Sequence, residues 1–200
     1  MIKVENTHVD NIARAVYSAR NAMNSWDKSD SDIGRDTLGE KDLALAKKLV
    51  KAGTDHSKFM RMINVTCDIT APLYFWKEAD TYKIGTVANS TSTMHTIHKK
   101  CFTFDDFSHE HLTDYALETL RITLTALNFY REQYLETNNK DDWWQMIQLL
   151  PSSYNQKRTW QTNYQTLRNI YHSRKNHKLN EWVVFCRWIE TLPYSELITE

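Results

Sequence analysis

Residues 150–181, LPSSYNQKRTWQTNYQTLRNIYHSRKNHKLNE, carry most of the fold information in this chain. Residues 160–174 and 180–192 are predicted to form two helices, because their apolar side chains recur at helical spacing. A shorter helix is predicted over residues 143–150, which Pro151 ends. The C-terminal third is therefore expected to be mostly helical.

The same region is locally basic. Residues 143–180 contain no Asp or Glu but six Lys and Arg, with Tyr154, Trp160, Tyr164 and Tyr171 among them. A solvated basic face would explain this composition. An anion pocket whose aromatic side chains stack on a ligand ring would explain it as well. A phosphate and a ring together indicate a nucleotide.

Asn163 and Arg174 stand 11 residues apart in this region. A single helix between them would return both side chains to nearly the same face, because 11 residues make about three helical turns. Both would then point the same way. The alternative is structural, with the Asn capping a loop and the Arg pairing with a carboxylate.

Apolar spacing and turn residues predict the remaining elements. Strands are predicted at residues 2–4 and 62–69. Loops are predicted at residues 27–39 and 86–96. Helices are predicted over residues 12–26, from Glu40 to a Gly53 cap, from Pro72 to about Asp80, and over about six turns beyond Ser108 as N-cap. Together these elements predict a helix-dominated α+β fold in a single domain spanning residues 1–200.

Composition excludes several classes of function. Lys plus Arg number 25 and Asp plus Glu number 25, so no global charge draws the chain to a nucleic acid polymer. Cys67, Cys101 and Cys186 lack zinc-ligand spacing, and no metal site is predicted. The four glycines form neither a P-loop nor a Rossmann loop. No membrane span or signal peptide is apparent, so we expect a soluble cytoplasmic protein.

The C-terminal third resembles the flavin-dependent thymidylate synthases. The match is carried by Leu150-Pro151, Trp160, Asn163, Leu167, Asn169, Arg174 and Glu181. Gly53 with the turn His56-Ser57-Lys58-Phe59 is similar to a family turn, and Ala71-Pro72 follows it in the family order. Residues 13–18 are similar to the short N-terminal family segment.

This resemblance implies a fold, a reaction and an assembly. The fold would be a helix-dominated α+β domain with a small antiparallel sheet. The reaction would transfer a one-carbon unit from methylenetetrahydrofolate to C5 of a pyrimidine deoxynucleotide, dUMP or a relative, without a cysteine nucleophile. FAD would be the cofactor and NADPH the reductant. The assembly would be a homotetramer with nucleotide and flavin sites shared between chains.

The resemblance also implies roles for individual residues. Arg174 and Ser92 would be catalytic, and both would contact the nucleotide together with Asn89. The flavin would be bound by His56, Tyr82, Lys83, Asn163, Gln165 and Asn169.

Several family arginines are replaced in this sequence. The signature Arg-His-Arg falls on Thr81-Tyr82-Lys83, the family's Asn-x-Arg places Gln165 at its arginine, and two phosphate-binding arginines fall on Met94 and near Ile147. Lysine cannot reproduce a bidentate guanidinium contact. Two main hypotheses follow: a divergent flavin-dependent methylase, or a non-catalytic protein that binds or sequesters a nucleotide on the same scaffold. A purely structural or protein-interaction role is the third.

Overall fold

The computed structural model describes residues 2–200, and helices dominate this part of the chain. The strands are β1 (Lys3–Asp10), β2 (Asn64–Pro72), β3 (Val87–Ser90) and β4 (Asn155–Asn163). The helices are α1 (Ile12–Ala19), α2 (Glu40–Lys51), α3 (Leu73–Ala79), α4 (Thr93–Thr96), α5 (Asp114–Thr137), α6 (Lys140–Leu149), α7 (Tyr164–Arg174), α8 (Asn180–Glu190) and α9 (Glu196–Thr199). Within the described residues, the strands form one antiparallel sheet in the order β1-β2-β4-β3. The predicted α+β class with a small antiparallel sheet is confirmed.

The chain divides into two compact units. The first unit contains residues 2–3, Thr70–Thr81 and Asn89–Arg158. The second unit contains Val4–Ile69, Tyr82–Ala88 and Thr159–Glu200. That residues 1–200 form a single domain stays a prediction.

The first unit has its core along α5. Leu120, Leu124 and Leu127 are buried at spacings of three and four residues, and they share a cluster with Phe107 and Met146. Each fully buried apolar side chain of this size stabilises the fold by about 1.5–3 kcal/mol. The opposite face of α5 is exposed, so this helix has one buried stripe.

The start of α5 differs from the prediction. Thr113, not Ser108, is the N-cap, and its hydroxyl accepts from the backbone N–H of Ala116. Ser108 is buried instead and donates to Oδ1 of Asn155 at 2.9 Å. Both residues are good capping types, so sequence alone did not separate them.

The second unit has an aromatic core. Tyr164, Trp182 and Phe185 are fully buried on α7 and α8, and Leu167 and Ile170 are buried on α7. Other buried apolar side chains of this unit include Val16, Met60, Ile189, Leu197 and Ile198. This core fixes both ends of α7, on which most of the predicted site residues lie.

The single helix predicted over residues 160–174 is wrong. The chain runs as strand β4 up to Asn163, and α7 begins at Tyr164. Gln156, Trp160 and Thr162 are buried, whereas Lys157, Thr159 and Gln161 between them are exposed, which is the period of a strand. Trp and Thr favour strands, and pairing within the sheet decided the conformation.

Three N-terminal predictions need smaller corrections. The helix predicted over residues 12–26 is α-helical only to Ala19 and continues as a 3-10 turn, Arg20–Met23. The strand predicted at residues 2–4 extends to Asp10 in β1. The loop predicted at residues 86–96 contains β3 and α4. The Gly53 cap is confirmed, because this residue follows α2 with a φ of 106°.

Across residues 2–200, no helix combines the length and the apolar character needed to cross a membrane.

Candidate functional site

The first turn of α7 contacts the residues that directly follow the signature segment Thr81-Tyr82-Lys83. Asn163 is the N-cap of α7, and its Oδ1 accepts from the backbone N–H of Thr166 at 3.0 Å. The hydroxyl of Thr166 donates to the carbonyl of Ile84 at 3.0 Å. Gly85 has a φ of 70°, and a Cβ added there would overlap the side-chain amide of Asn163. The second unit therefore brings Asn163 into contact with the segment that follows Tyr82 and Lys83.

Gln165 and Asn169 form a second group on α7. Nε2 of the buried Gln165 donates to Oδ1 of Asn169 at 3.3 Å. The hydroxyl of Ser57 donates to Oε1 of Gln165 at 3.4 Å. The turn that contains His56 is thereby linked to α7, so the structure brings together the residues predicted to bind a flavin from these two segments.

His56 is exposed and lines a cavity of about 670 Å³ within the second unit. Asn21, Asp55 and Lys58 supply polar groups to this cavity, and Leu49, Phe59 and Met62 supply apolar surface. A site with apolar walls and a few polar groups is the usual character of a cofactor or small-molecule pocket.

Arg174 lies at the last position of α7 and is half-buried. Its Nε donates to the hydroxyl of Tyr82 at 3.0 Å, and its Nη1 donates to Nε2 of His177 at 2.8 Å. The guanidinium carbon lies 5.8 Å from the ring centre of Tyr82 and 5.1 Å from that of Trp182. Cation–π attraction at such distances adds about 0.5–2 kcal/mol. The side chain is thus held in one orientation by three aromatic partners.

The structure tests the expected relation between Asn163 and Arg174. They lie at opposite ends of α7, with Asn163 just outside the helix. Asn163 has the structural role, since it caps the helix. Arg174 has the rings of Tyr82 and Trp182 among its partners.

The two predicted substrate residues of the first unit lie near the end of β3. Asn89 is exposed on β3, and its side chain forms no hydrogen bond within residues 2–200. Ser92 is the N-cap of α4, and its Oγ accepts from the backbone N–H of His95 at 3.3 Å. The other predicted site residues belong to the second unit. Of these, Lys83 is exposed and has no ion-pair partner in the described part of the chain.

Two basic residues of the region 143–180 have structural roles. Arg158 donates to Asp80 at 2.7 Å and lies 4.2 Å from the ring centre of Trp76. Arg168 donates to the carbonyl of Ile198 at 3.0 Å, so it holds the C-terminal segment. Lys157 lines a cavity.

That cavity, of about 540 Å³, was missed by sequence reasoning. It lies within the first unit and is lined by Lys99, Lys100, Lys157 and Tyr154 among others. The adjacent pair Lys99-Lys100 and the basic composition around Lys157 were visible in the sequence. What was not visible is that residues about 60 positions apart share one cavity.

Two of the cysteines have thiols of low reactivity. Burial, with the nearby Asp68, raises the pKa of Cys67 to about 12. Burial, with the nearby Glu190, raises the pKa of Cys186 to about 11. A thiol must ionise to act as a nucleophile, so neither is suited to attack a substrate at neutral pH.

Comparison with known proteins shows a shared fold and no similarity of sequence at the family level. No protein-family model matches the chain, and no curated protein sequence is significantly similar to it. The UMP/dUMP methylase PolB from Streptomyces cacaoi, bound with 5-Br dUMP, has a TM-score of 0.64 at 15% identity, over 100% of this chain and 95% of that chain.

The particular fold is that of a flavin-dependent thymidylate synthase. Two structures of ThyX from Helicobacter pylori with FAD and dUMP match at a TM-score of 0.73 and 20% identity. They cover 98% and 100% of this chain and 97% of the ThyX chain. The fold inferred from the sequence resemblance is thereby confirmed.

Proposed function

We propose that this protein binds FAD and a pyrimidine deoxynucleotide and transfers a one-carbon unit from methylenetetrahydrofolate to C5 of dUMP or a relative. The observation that carries the proposal is the fixed guanidinium of Arg174, held between Tyr82, Trp182 and His177. The fold supports it, since proteins with this fold include enzymes crystallised with dUMP and 5-Br dUMP.

Arg174 would contact the nucleotide. A guanidinium is planar, always charged and able to donate two parallel hydrogen bonds, which suits a phosphate or the carbonyl edge of a pyrimidine. Its orientation is set before the ligand arrives, so less side-chain entropy is lost on binding. Tyr82 and His177 would act as positioning residues for Arg174.

The residues around His56 fit a flavin. FAD combines a diphosphate with aromatic ring systems, and the 670 Å³ cavity combines Lys58 and His56 with an apolar wall that includes Phe59. We assign cofactor contacts to His56 and Lys58, with Lys83 and Asn169 as further donors. When bound, the flavin would supply the redox chemistry, with NADPH as reductant. The protein would supply binding, orientation and exclusion of water.

Ser92 and Asn89 would line the reacting pyrimidine. Oγ of Ser92 already accepts a hydrogen bond from His95, so its own O–H proton is available for donation to an oxygen of the ring. Asn89 can both donate to and accept from the edge of a base.

The proposal includes assembly of the chain as a homotetramer. Tyr115, Ile122 and Phe129 are more than half exposed and recur every seven residues along α5. Such a stripe pairs well with a helix of a second copy. Light scattering of the purified protein tests this, and a monomer would contradict it.

A second candidate is a nucleotide-binding protein without flavin chemistry. The observation that favours it concerns Asn163 and Gln165, which a flavin would need. Their side-chain amides already form hydrogen bonds within the protein. Thr81 and Lys83 also stand where the family has arginines. Under this candidate Arg174 would still bind the nucleotide.

The two candidates are separated by measuring flavin and dUMP binding on the same samples. We would compare wild type, Arg174→Ala and Arg187→Ala, the last being an exposed arginine without an ion-pair partner in residues 2–200. Bound flavin with dUMP binding that only Arg174→Ala weakens supports the enzyme. Arg174-dependent dUMP binding without flavin supports the second candidate. If neither flavin nor dUMP binds, both candidate functions are contradicted.

A further inference from the structure

Strand β1 lies at an edge of the sheet, since β2 is its only strand neighbour within residues 2–200. An edge strand presents backbone N–H and C=O groups that can pair with a further strand. A cavity of about 380 Å³ lies beside β1, and Val4–Val9, Trp188 and Leu192 are among its lining residues. Because neighbouring strand residues point to opposite faces, a cavity that contacts six in succession follows the edge of the strand.

The sequence of β1, KVENTHVD, is complementary to itself when a second copy runs in the opposite direction. The matching register is symmetric about the peptide bond between Asn6 and Thr7. In it, valine faces valine and each acidic residue faces a basic one: Val4 with the partner's Val9, Glu5 with the partner's His8, and Lys3 with the partner's Asp10.

Neighbouring registers lose this match. A shift by one residue sets Val4 opposite the partner's His8 or the partner's Asp10. A shift by two sets Glu5 opposite the partner's Asp10 in one direction, and like charges directly opposite each other destabilise a strand pair. Lys3 and Glu5 also interact within their own chain. The match therefore rests on the paired valines and on the absence of facing like charges, and it requires no free charge.

The centre of β1 has a fixed geometry. Asn6 has a left-handed φ of 51°, and a residue of this kind interrupts the regular pairing of a strand. Its Nδ2 donates to Oδ2 of Asp68 at 2.9 Å, and the hydroxyl of Thr7 accepts from Nε1 of Trp188 at 3.1 Å. Two copies would thus pair in two halves, residues 3–5 of each with residues 8–10 of the other.

We propose that β1 pairs antiparallel with β1 of a second copy of this chain, which joins the two sheets into one. The inference deepens the homotetramer of the proposed function, and it requires neither flavin nor nucleotide. A tetramer with dihedral symmetry is built from more than one kind of two-fold contact. The exposed stripe of α5 offers one such contact, and β1 supplies another.

The first test is disulfide trapping of the full chain in a Cys101→Ser background, which removes the exposed thiol. Val4→Cys combined with Val9→Cys places thiols opposite each other between copies, with Cβ atoms about 4.5–5.5 Å apart. Within one chain the two positions are about 17 Å apart, too far for a disulfide. Each single substitution is the matched control, because the same position in the partner is equally distant. We expect the double variant to form covalent dimers at least about tenfold faster than either control.

The second test is sedimentation velocity over a range of protein concentrations. His8→Glu places a carboxylate opposite the partner's Glu5 at two points of each pair, so association should weaken by about tenfold. Adding Glu5→Lys makes the facing charges opposite again and should restore association. The control is His172→Glu, at an exposed histidine outside β1, which should associate as the wild type does. Circular dichroism melting confirms that each variant folds.

Two results would overturn the inference. One is that the double cysteine variant cross-links no faster than the single variants. The other is that His8→Glu associates as the wild type does, which includes a wild type that stays monomeric. If a tetramer then depends on α5, as tested by Ile122→Lys, the homotetramer survives and the β1 contact fails. If copies cross-link through β1 while neither flavin nor dUMP binds, the β1 contact stands without the enzymatic proposal.

Discussion

Nε of Arg174 donates a 3.0 Å hydrogen bond to the hydroxyl of Tyr82, a residue 92 positions earlier in the chain. The contact joins the segment that carries the altered signature to the end of α7. Tyr82 stands where the resembled family has the middle residue of Arg-His-Arg. Tyr82 therefore helps to set the orientation of Arg174.

Tyr82→Phe should weaken nucleotide binding without abolishing it. The variant keeps the aromatic ring near the guanidinium but removes the acceptor, and a hydrogen bond to a charged group contributes about 1.5–3 kcal/mol. We expect dUMP affinity to fall by about tenfold or more, and Arg174→Ala to cost at least as much. Titration calorimetry measures both. Equal dUMP affinity in wild type and Arg174→Ala would remove the assigned role of this arginine.

Asp42→Asn should strongly destabilise the protein. Asp42 is fully buried and accepts from Nε of Arg20 and from the hydroxyls of Ser29 and Ser31, each at 2.6 Å. Removing one partner of a buried ion pair costs about 3–5 kcal/mol. Urea denaturation at pH 7 measures the loss, with the exposed Asp27→Asn as control. A change as small as that of the control would show that the pair contributes little.

The same carboxylate should make stability depend on pH. Burial alone would raise the pKa of Asp42, but the hydrogen bonds from Ser29, Ser31 and Arg20 outweigh burial and lower it below its ordinary value of 3.8. A lowered folded-state pKa contributes stability above the unfolded pKa and loses it as pH falls through the folded one. The free energy of unfolding of wild type should therefore drop below about pH 4. Asp42→Asn should show a shallower drop, measured by urea titrations from pH 7 to pH 3.

Gly85→Ala should destabilise the protein more than Gly53→Ala does. Both glycines have positive φ values, 70° and 106°, so alanine is strained by about 1–2 kcal/mol at either site. Only at Gly85 would the new Cβ also overlap the side-chain amide of Asn163, whereas at Gly53 nothing lies within 4 Å. Thermal melting of the two variants measures the difference. Equal melting temperatures would show that the contact between Gly85 and Asn163 is not tight in solution.

Thiol labelling should distinguish the cysteines. Cys101 is exposed, whereas Cys67 and Cys186 are buried with pKa values of about 12 and about 11. Iodoacetamide at pH 8 should modify Cys101 rapidly and the other two only after denaturation. Mass spectrometry of wild type and Cys101→Ser measures this. Rapid labelling of Cys101→Ser would contradict the burial of the remaining thiols.

Local signals predicted much of the fold. The cap at Gly53 and the alternating pattern of β2 depend on neighbouring residues, so the sequence revealed them. β4 was mistaken for helix because its strand character depends on pairing with β2 and β3, which are distant in sequence.

The same distinction between local and long-range signals applies to the residues of the candidate site. Asn163, Gln165 and Asn169 were named from the family resemblance, and their contact with a flavin stays a prediction; the structure joins Gln165 to Asn169 by a hydrogen bond. The partners of Arg174 were not found, since Tyr82 and Trp182 lie on other segments and no short-range pattern links them. The cavity at Lys99 and Lys157 was missed for the same reason.

The visible absorption spectrum of the purified protein tests the central claim most directly. It is recorded before and after FAD is added and the excess removed. The proposed enzyme predicts a bound, perturbed flavin band near 450 nm, where flavin absorbs by its own chemistry. That band should bleach on reduction by NADPH and return when dUMP and methylenetetrahydrofolate are supplied. A protein that retains no flavin after this treatment would contradict the account of a flavin-dependent methylase.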